Sequence, residues 1–199
     1  MERTNLIERR FDMQCRSVEV EGEQQPELWV EGYAARFNSP TTLFEIDGLE
    51  YKEQIARDAF EGAKMDDVIL NYNHQGRVMA RTRNKTLTLD VDDTGLHVRA
   101  RLDGTEEGRS LYDDIKNGYI DRMSFRFTIR EEAFDSESRT WTVQRIKKLY
   151  DVSAVDIPAY DDTLIEARKA DAEADARQRQ AALDSALLKA KINLKLKLD

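Results

Sequence analysis

The feature that most constrains the fold is a stretch of strict alternation at residues 122–130. Its apolar positions are Met123, Phe125, Phe127 and Ile129. Arginine, serine and threonine occupy the positions between them, including Ser124. A period of two is typical of a β-strand with one buried face. The pattern therefore predicts a strand that buries one face and presents Ser124 on the other.

Several other segments show strand patterns, and short turn signals separate them. Residues 86–91 and 96–102, for example, flank a turn at 92–95, which predicts an antiparallel hairpin. Residues 41–65 are predicted to connect strands, with a short strand at 51–55 and one or two helical turns at 57–63. A count of roughly eight or nine strands predicts a mainly β protein with helices, of the α+β class. Its sheet is expected to be largely antiparallel and to close as a barrel or curl strongly.

One internal helix is predicted at residues 105–117. Thr105 can cap its first turn, and Gly118 follows its last residue, where a left-handed conformation is common. From Leu164 onward the chain is rich in alanine and charged residues and contains no glycine or proline. We therefore predict two domains, a β-domain over residues 1–163 and a helical tail over residues 164–199.

Composition excludes several function classes. The net charge of −8 argues against a nucleic-acid binder. The chain has no apolar run that would form a signal peptide or a membrane span. Two histidines and one cysteine cannot build a standard closed zinc site, and Cys15 has no partner for a disulfide. We therefore expect a cytoplasmic protein that needs no metal or other cofactor.

Two residues are candidates for hydrolytic chemistry. Ser124 is a hydroxyl nucleophile on a polar strand face, and His74 follows the apolar run 68–70 at the start of a turn. Each has a simpler interpretation: Ser124 as a solvated strand serine, and His74 as a turn histidine bonded to backbone. The other histidine, His97, lies beside Arg99 and Arg101 on the polar face of 96–102 and is predicted to be solvated.

A serine nucleophile also needs a group that orients its base. The late strand at 149–160 offers Asp151 and Asp156 on opposite faces. A carboxylate in an otherwise apolar strand needs a partner if it is buried. The residue patterns alone do not show which of these side chains meet.

Six segments in order resemble the prohead maturation proteases of tailed bacteriophages, which are similar in fold to the herpesvirus capsid maturation proteases. They are the GYAARFN run at 32–38, the EQI and DAF runs at 53–60, Asn73-His74, Gly95-Leu96, the MSFRF run at 123–127, and the DVS and PAY runs at 151–160. The sequence departs from the family pattern at Asp58, where glycine is usual, and at Asp151, where glutamate is commoner.

The resemblance implies roles for the candidate residues. Ser124 would be the nucleophile, His74 its general base, and Asp151 the third member, with Asp156 as the runner-up. Arg122 shares the face of Ser124 and, with Arg126, is a candidate for the oxyanion site, alongside backbone amides.

The resemblance further implies a serine endopeptidase that acts inside the immature capsid, in the host cytoplasm. Its partners would be the major capsid protein with its scaffolding segment and other copies of the chain, through self-cleavage and a dimer or larger oligomer. The principal alternative is a non-enzymatic capsid-assembly or scaffold protein. A general acyl hydrolase is disfavoured because the sequence lacks a G-x-S-x-G motif. A plain binding barrel would leave His74 and Ser124 far apart.

Overall fold

The computed structural model describes residues 7–11, 16–20, 27–156 and 162–195. The chain forms two units, Met1–Tyr160 and Asp161–Asp199. The first unit contains the β-strands and one α-helix, and the second contains one long helix.

Eleven strands are present among the described residues of the first unit. They are β1 (Ile7–Phe11), β2 (Arg16–Val20), β3 (Glu27–Arg36), β4 (Thr41–Ile46), β5 (Leu49–Ile55), β6 (Ile69–Tyr72), β7 (Gln75–Arg81), β8 (Leu87–Val91), β9 (Gly95–Arg101), β10 (Arg122–Asp135) and β11 (Thr140–Val155). Seven strands form one sheet in the order β1-β10-β11-β5-β4, with β6 also paired to β11 and β7 to β6. The other sheet has the order β2-β3-β9-β8.

The long strand β11 is the centre of the larger sheet. It pairs with β10 in antiparallel fashion along its length. Its first part also pairs with β5, and its last part with β6, and both of these pairings are parallel. Because β6 and β10 flank the same end of β11, residues far apart in sequence are brought side by side there.

The core consists of apolar side chains from both sheets. The rings of Phe125 and Phe127 on β10 stack with their centroids 4.7 Å apart. Both side chains are fully buried, and each contributes about 1.5–3 kcal/mol of hydrophobic free energy. Trp141 on β11 packs against Phe44 and Tyr51 at the other end of the sheet. This packing makes β10 and β11 a rigid platform for the polar residues they carry.

The predicted internal helix is confirmed as α1 (Glu106–Lys116). The Thr105 hydroxyl accepts a hydrogen bond from the backbone N–H of Gly108 and so caps the first turn. The apolar side chains Leu111 and Ile115 are buried, four positions apart on one face. Gly118 has a φ of 77°, as predicted for the residue after the helix.

Other predictions need correction. The mainly β, α+β class with largely antiparallel pairing is confirmed, but the predicted barrel is not, because the pairings among the described strands leave both sheets open. The strand count is higher than expected, and residues 41–46 form β4 rather than a connection. Residues 140–146 and 149–155 belong to one strand rather than two. Residues 57–62 form successive hydrogen-bonded turns rather than a helix.

The second unit contains α2 (Asp162–Lys195), a helix of 34 residues. Three of its leucines, Leu183, Leu187 and Leu188, are more than half exposed. No helix in the described part of the chain is long and apolar enough to cross a membrane. The tail was predicted to be helical from residue 164 onward. The division of the chain into a β-domain over residues 1–163 and a tail over residues 164–199 stays a prediction.

Candidate active site

Ser124 lies on β10, one residue after the buried Met123 and one before the buried Phe125. The antiparallel register places Ser124 directly opposite Ser153 of β11. Directly opposed residues in an antiparallel pair project their side chains from the same face, with β-carbons about 5 Å apart. The next pair on this face is Arg126 opposite Asp151. The sheet therefore gathers Ser124, Arg126, Asp151 and Ser153 into one patch.

The patch is buried, which differs from the expectation of a solvated face. Ser124 and Ser153 are both 0% exposed, and Thr128, farther along β10, is also buried. The interpretation of Ser124 as a solvated strand serine is therefore wrong. The alternation of apolar and polar residues indicated which side chains of β10 share a face. It did not show that Ser124 and Thr128 on the polar face are buried, as the apolar side chains are.

His74 lies in the loop that joins β6 to β7. The loop has only two residues, Asn73 and His74, because Tyr72 pairs directly with Gln75. Both loop residues have positive φ, 49° for Asn73 and 57° for His74, which is the φ pattern of a type I′ turn. Asparagine is common at the first position, whereas glycine is preferred at the second. Histidine in this left-handed conformation costs about 1–2 kcal/mol relative to its ordinary backbone conformations.

The His74 ring is turned into the patch and contacts Asp151. Its Nδ1 atom forms a buried hydrogen bond with Asp151 Oδ1. The two side chains are 1% and 9% exposed. A carboxylate at Nδ1 fixes the ring orientation, favours the tautomer with its proton on Nδ1, and stabilises the ring when it becomes protonated. Nε2 is then the ring nitrogen that can accept a proton.

Two further contacts hold the His74 backbone. Its N–H donates to Ser153 Oγ over 2.8 Å, and its carbonyl oxygen accepts from Arg126 Nη1 over 3.1 Å. Arg126, considered from sequence for an oxyanion role, therefore contacts the histidine loop. The part played by Ser153 was missed in the sequence analysis, and its position two residues after Asp151 on the same strand face was the signal that could have found it.

Asp156, the runner-up for the third position, has a different partner. Its carboxylate accepts a hydrogen bond of 2.8 Å from the Tyr72 hydroxyl. This bond to Asp156 raises the pKa of Tyr72 above its ordinary value because it holds the phenol proton in place. The Asp156 backbone N–H also donates to Asn73 Oδ1 over 3.3 Å. These contacts brace the outside of the β6–β7 hairpin, whereas Asp151 contacts the histidine ring itself.

Of the other candidates, His97 lies elsewhere and Arg122 lies two residues before Ser124 at the start of β10. His97 is on β9 of the four-stranded sheet, with its ring 5.1 Å from that of Tyr33. It is half-buried rather than freely solvated. Arg122 Nε lies 3.7 Å from a carboxylate oxygen of the neighbouring Asp121. Among the described residues, no group of three or more His, Cys, Asp or Glu side chains is arranged to hold a metal ion.

The arrangement provides the parts that acyl transfer by serine requires. A histidine whose Nδ1 atom is bound by a carboxylate can accept a hydroxyl proton at Nε2. A serine on the adjacent strand offers that hydroxyl, and rigid strands supply both serine and carboxylate. Only the histidine comes from a loop, and contacts from β10 and β11 fix its backbone on both sides.

Comparisons with known proteins point to the same chemistry. The family model described as caudovirus prohead serine protease matches residues 11–178. No curated protein matches the chain significantly. Among solved structures, the chain is similar to the bacteriophage T4 capsid assembly protease, gp21, with 18% sequence identity and a TM-score of 0.52. The match covers 77% of this chain and 98% of that one, and at this identity it shows a common fold. Because the family model spans most of the sequence, the chain belongs to the caudovirus prohead serine protease family.

Proposed function

We propose that Ser124, His74 and Asp151 form the catalytic triad of this serine protease. The observation that carries the proposal is the contact of His74 Nδ1 with Asp151 on the sheet face that also bears Ser124. Family membership supports a serine nucleophile. Ser124 lies opposite Ser153, the residue that accepts a hydrogen bond from the His74 backbone N–H.

In the acylation step, Ser124 Oγ attacks the scissile carbonyl carbon while His74 Nε2 takes the hydroxyl proton. Asp151 stabilises the resulting imidazolium through Nδ1. The protonated ring then donates its proton to the leaving amine nitrogen as the peptide C–N bond breaks, which leaves an acyl-enzyme. A water molecule releases the acyl group by the same steps in reverse, with His74 again acting as base.

Cleavage also requires that the patch open. Ser124 has no exposed surface in this structure, and His74 has little. A substrate carbonyl must approach within van der Waals contact of Ser124 Oγ, so a local opening of the polar face precedes the attack.

For the substrate, we propose the scaffolding segment of the major capsid protein and the chain's own tail at residues 164–199. The support is membership of the prohead serine protease family and a fold shared with a phage capsid assembly protease. The enzyme would act as a dimer or larger oligomer inside the immature capsid in the host cytoplasm. Cleavage there would remove internal protein and clear space for the genome.

The test is co-expression of the chain with the major capsid protein of the same phage, followed by mass measurement of both proteins. Ser124→Ala is expected to abolish cleavage of both, because loss of a triad serine costs on the order of a million-fold in rate. Ser138→Ala, at an exposed serine in the β10–β11 turn, is the matched control and is expected to leave cleavage unchanged. Unchanged processing with Ser124→Ala would contradict the proposal and favour a non-enzymatic assembly role.

A further inference from the structure

Ser153 occupies the position that links the two halves of the proposed site. It pairs in register with Ser124 of β10 on one side and with Asn71 of β6 on the other. It is 0% exposed, so its hydroxyl must find its partners within the protein. Ser153 thus lies between the strand that carries the proposed nucleophile and the hairpin that carries the proposed base.

The Ser153 hydroxyl has partners for both of its hydrogen-bonding roles. It accepts the His74 backbone N–H over 2.8 Å. It donates toward Asn71, whose carbonyl oxygen and Oδ1 lie 2.9 and 3.0 Å away. Because a hydroxyl offers one donor and two acceptor sites, this geometry uses the donor and leaves the accepted bond to His74 undisturbed.

The bond from the His74 N–H to Ser153 holds the backbone of the β6–β7 turn in place. His74 is the second residue of a two-residue turn and has a φ of 57°, a conformation that histidine does not favour. A buried backbone N–H at that position needs an acceptor outside the turn. Ser153 supplies it, and Asp151, two residues away on the same strand face, holds the ring. One strand therefore fixes both the backbone and the side chain of the base.

We infer that Ser153 is a positioning residue of the protease: its hydroxyl fixes the His74 backbone while Asp151 holds the ring. This inference rests on the proposed triad. Without the hydroxyl, the His74 backbone loses its contact with β11 and keeps the bond from Arg126 to its carbonyl oxygen. Misplacement of a catalytic group by about 1 Å can lower a rate about a hundredfold.

The test uses the rate at which diisopropyl fluorophosphate inactivates the full-length chain. In that reaction the serine oxygen bonds to phosphorus, fluoride leaves, and the hydroxyl proton passes to the base. Ser153→Ala keeps the β-carbon and deletes only the hydroxyl. We expect its limiting rate of inactivation to fall about ten- to a hundredfold while the half-saturating reagent concentration stays unchanged.

Thr140→Val is the matched control, because it deletes another buried hydroxyl of β11, one that donates to the Ser138 carbonyl at the far end of the strand. It is expected to leave the limiting rate unchanged even if thermal stability falls. A rate for Ser153→Ala equal to that of the native chain at a temperature where both are folded would overturn the inference. A change in the half-saturating reagent concentration, with no change in the limiting rate, would also overturn the inference.

Amide hydrogen exchange gives a second readout in case Ser153→Ala does not fold. In the unsubstituted chain, the His74 amide is expected to be protected from exchange, as a bonded buried N–H should be. Exchange at the rate of an unprotected loop amide would also overturn the inference. If Ser124 is not labelled in the native chain, the proposed triad fails, and His74 exchange still decides whether the Ser153 bond exists.

Discussion

His74 is held in a backbone conformation that histidine rarely adopts, and this is the most informative single residue in the fold. Glycine would fit the second position of the Asn73–His74 turn without strain. Residues kept in such conformations concentrate at functional sites, where surrounding contacts hold them in place. Here the surrounding contacts come from Asp151, Ser153 and Arg126. The strained turn therefore agrees with a role for the His74 ring.

Individual residues of the site could be named from the sequence, but their contacts could not. Ser124, His74 and Asp151 were identified because they occupy positions of a recognisable motif order. The contact between His74 and Asp151 depends on the parallel pairing of β6 with β11, which joins segments about eighty residues apart. Ser153 belongs to the DVS run and shares a strand face with Asp151, but the run does not indicate that its hydroxyl accepts a hydrogen bond from the His74 backbone.

Asp151→Asn is expected to lower the rate of capsid-protein cleavage by about 10⁴-fold. An amide at this position can favour the wrong tautomer of His74 and no longer stabilises its protonated form. Asp156→Asn is the matched control because Asp156 contacts Tyr72 instead of the histidine ring. It is expected to retain nearly full activity when initial cleavage rates of the two variants are compared. If both variants lost the same fraction of the cleavage rate, neither aspartate could be assigned as the third member of the triad.

Helices and strands were predicted best where the sequence signal lies within the segment itself. The capped helix α1 and the β8–β9 hairpin follow from side-chain periodicity and turn residues within the segments themselves. The continuity of β11 was missed because register shifts between β10 and β11 interrupt its alternation. The two parallel pairings were missed for a different reason: nothing within β5 or β6 specifies a partner so distant in sequence.

The backbones of β3 and β9 approach closely at Gly95, which the sequence pattern does not indicate. Gly95 begins β9 beside a register shift in β3, and a β-carbon at this position would lie 1.8 Å from the carbonyl oxygen of Ala35. No side chain fits such a gap unless the backbone moves. The glycine of the Gly95-Leu96 motif is therefore required by close backbone approach.

Gly95→Ala is accordingly expected to lower the free energy of unfolding by about 1–3 kcal/mol or more, because one strand must shift away from the other. Gly104→Ala is the control, since nothing lies within 4 Å of its added β-carbon and its backbone is not left-handed. Urea unfolding of both variants measures the difference. Similar stabilities for the two would show that the β3–β9 junction tolerates a side chain.

Taken as a whole, the chain offers few choices for a general base. It contains two histidines, and the fold puts them in different sheets: His74 at the β6–β7 turn beside Asp151, and His97 on β9 beside Tyr33. A serine protease of this family that uses a histidine base must therefore use one of these two. We propose His74, because it is the histidine in contact with a buried carboxylate on the face of Ser124.

The most direct measurement is the site and rate of fluorophosphonate labelling in the full-length chain, read by mass spectrometry of its peptides. The native protein is expected to carry one adduct, on Ser124. His74→Ala is expected to lose that adduct almost completely, whereas His97→Ala labels at the native rate. An adduct on another serine, or undiminished labelling of Ser124 in His74→Ala, would contradict the proposed active site.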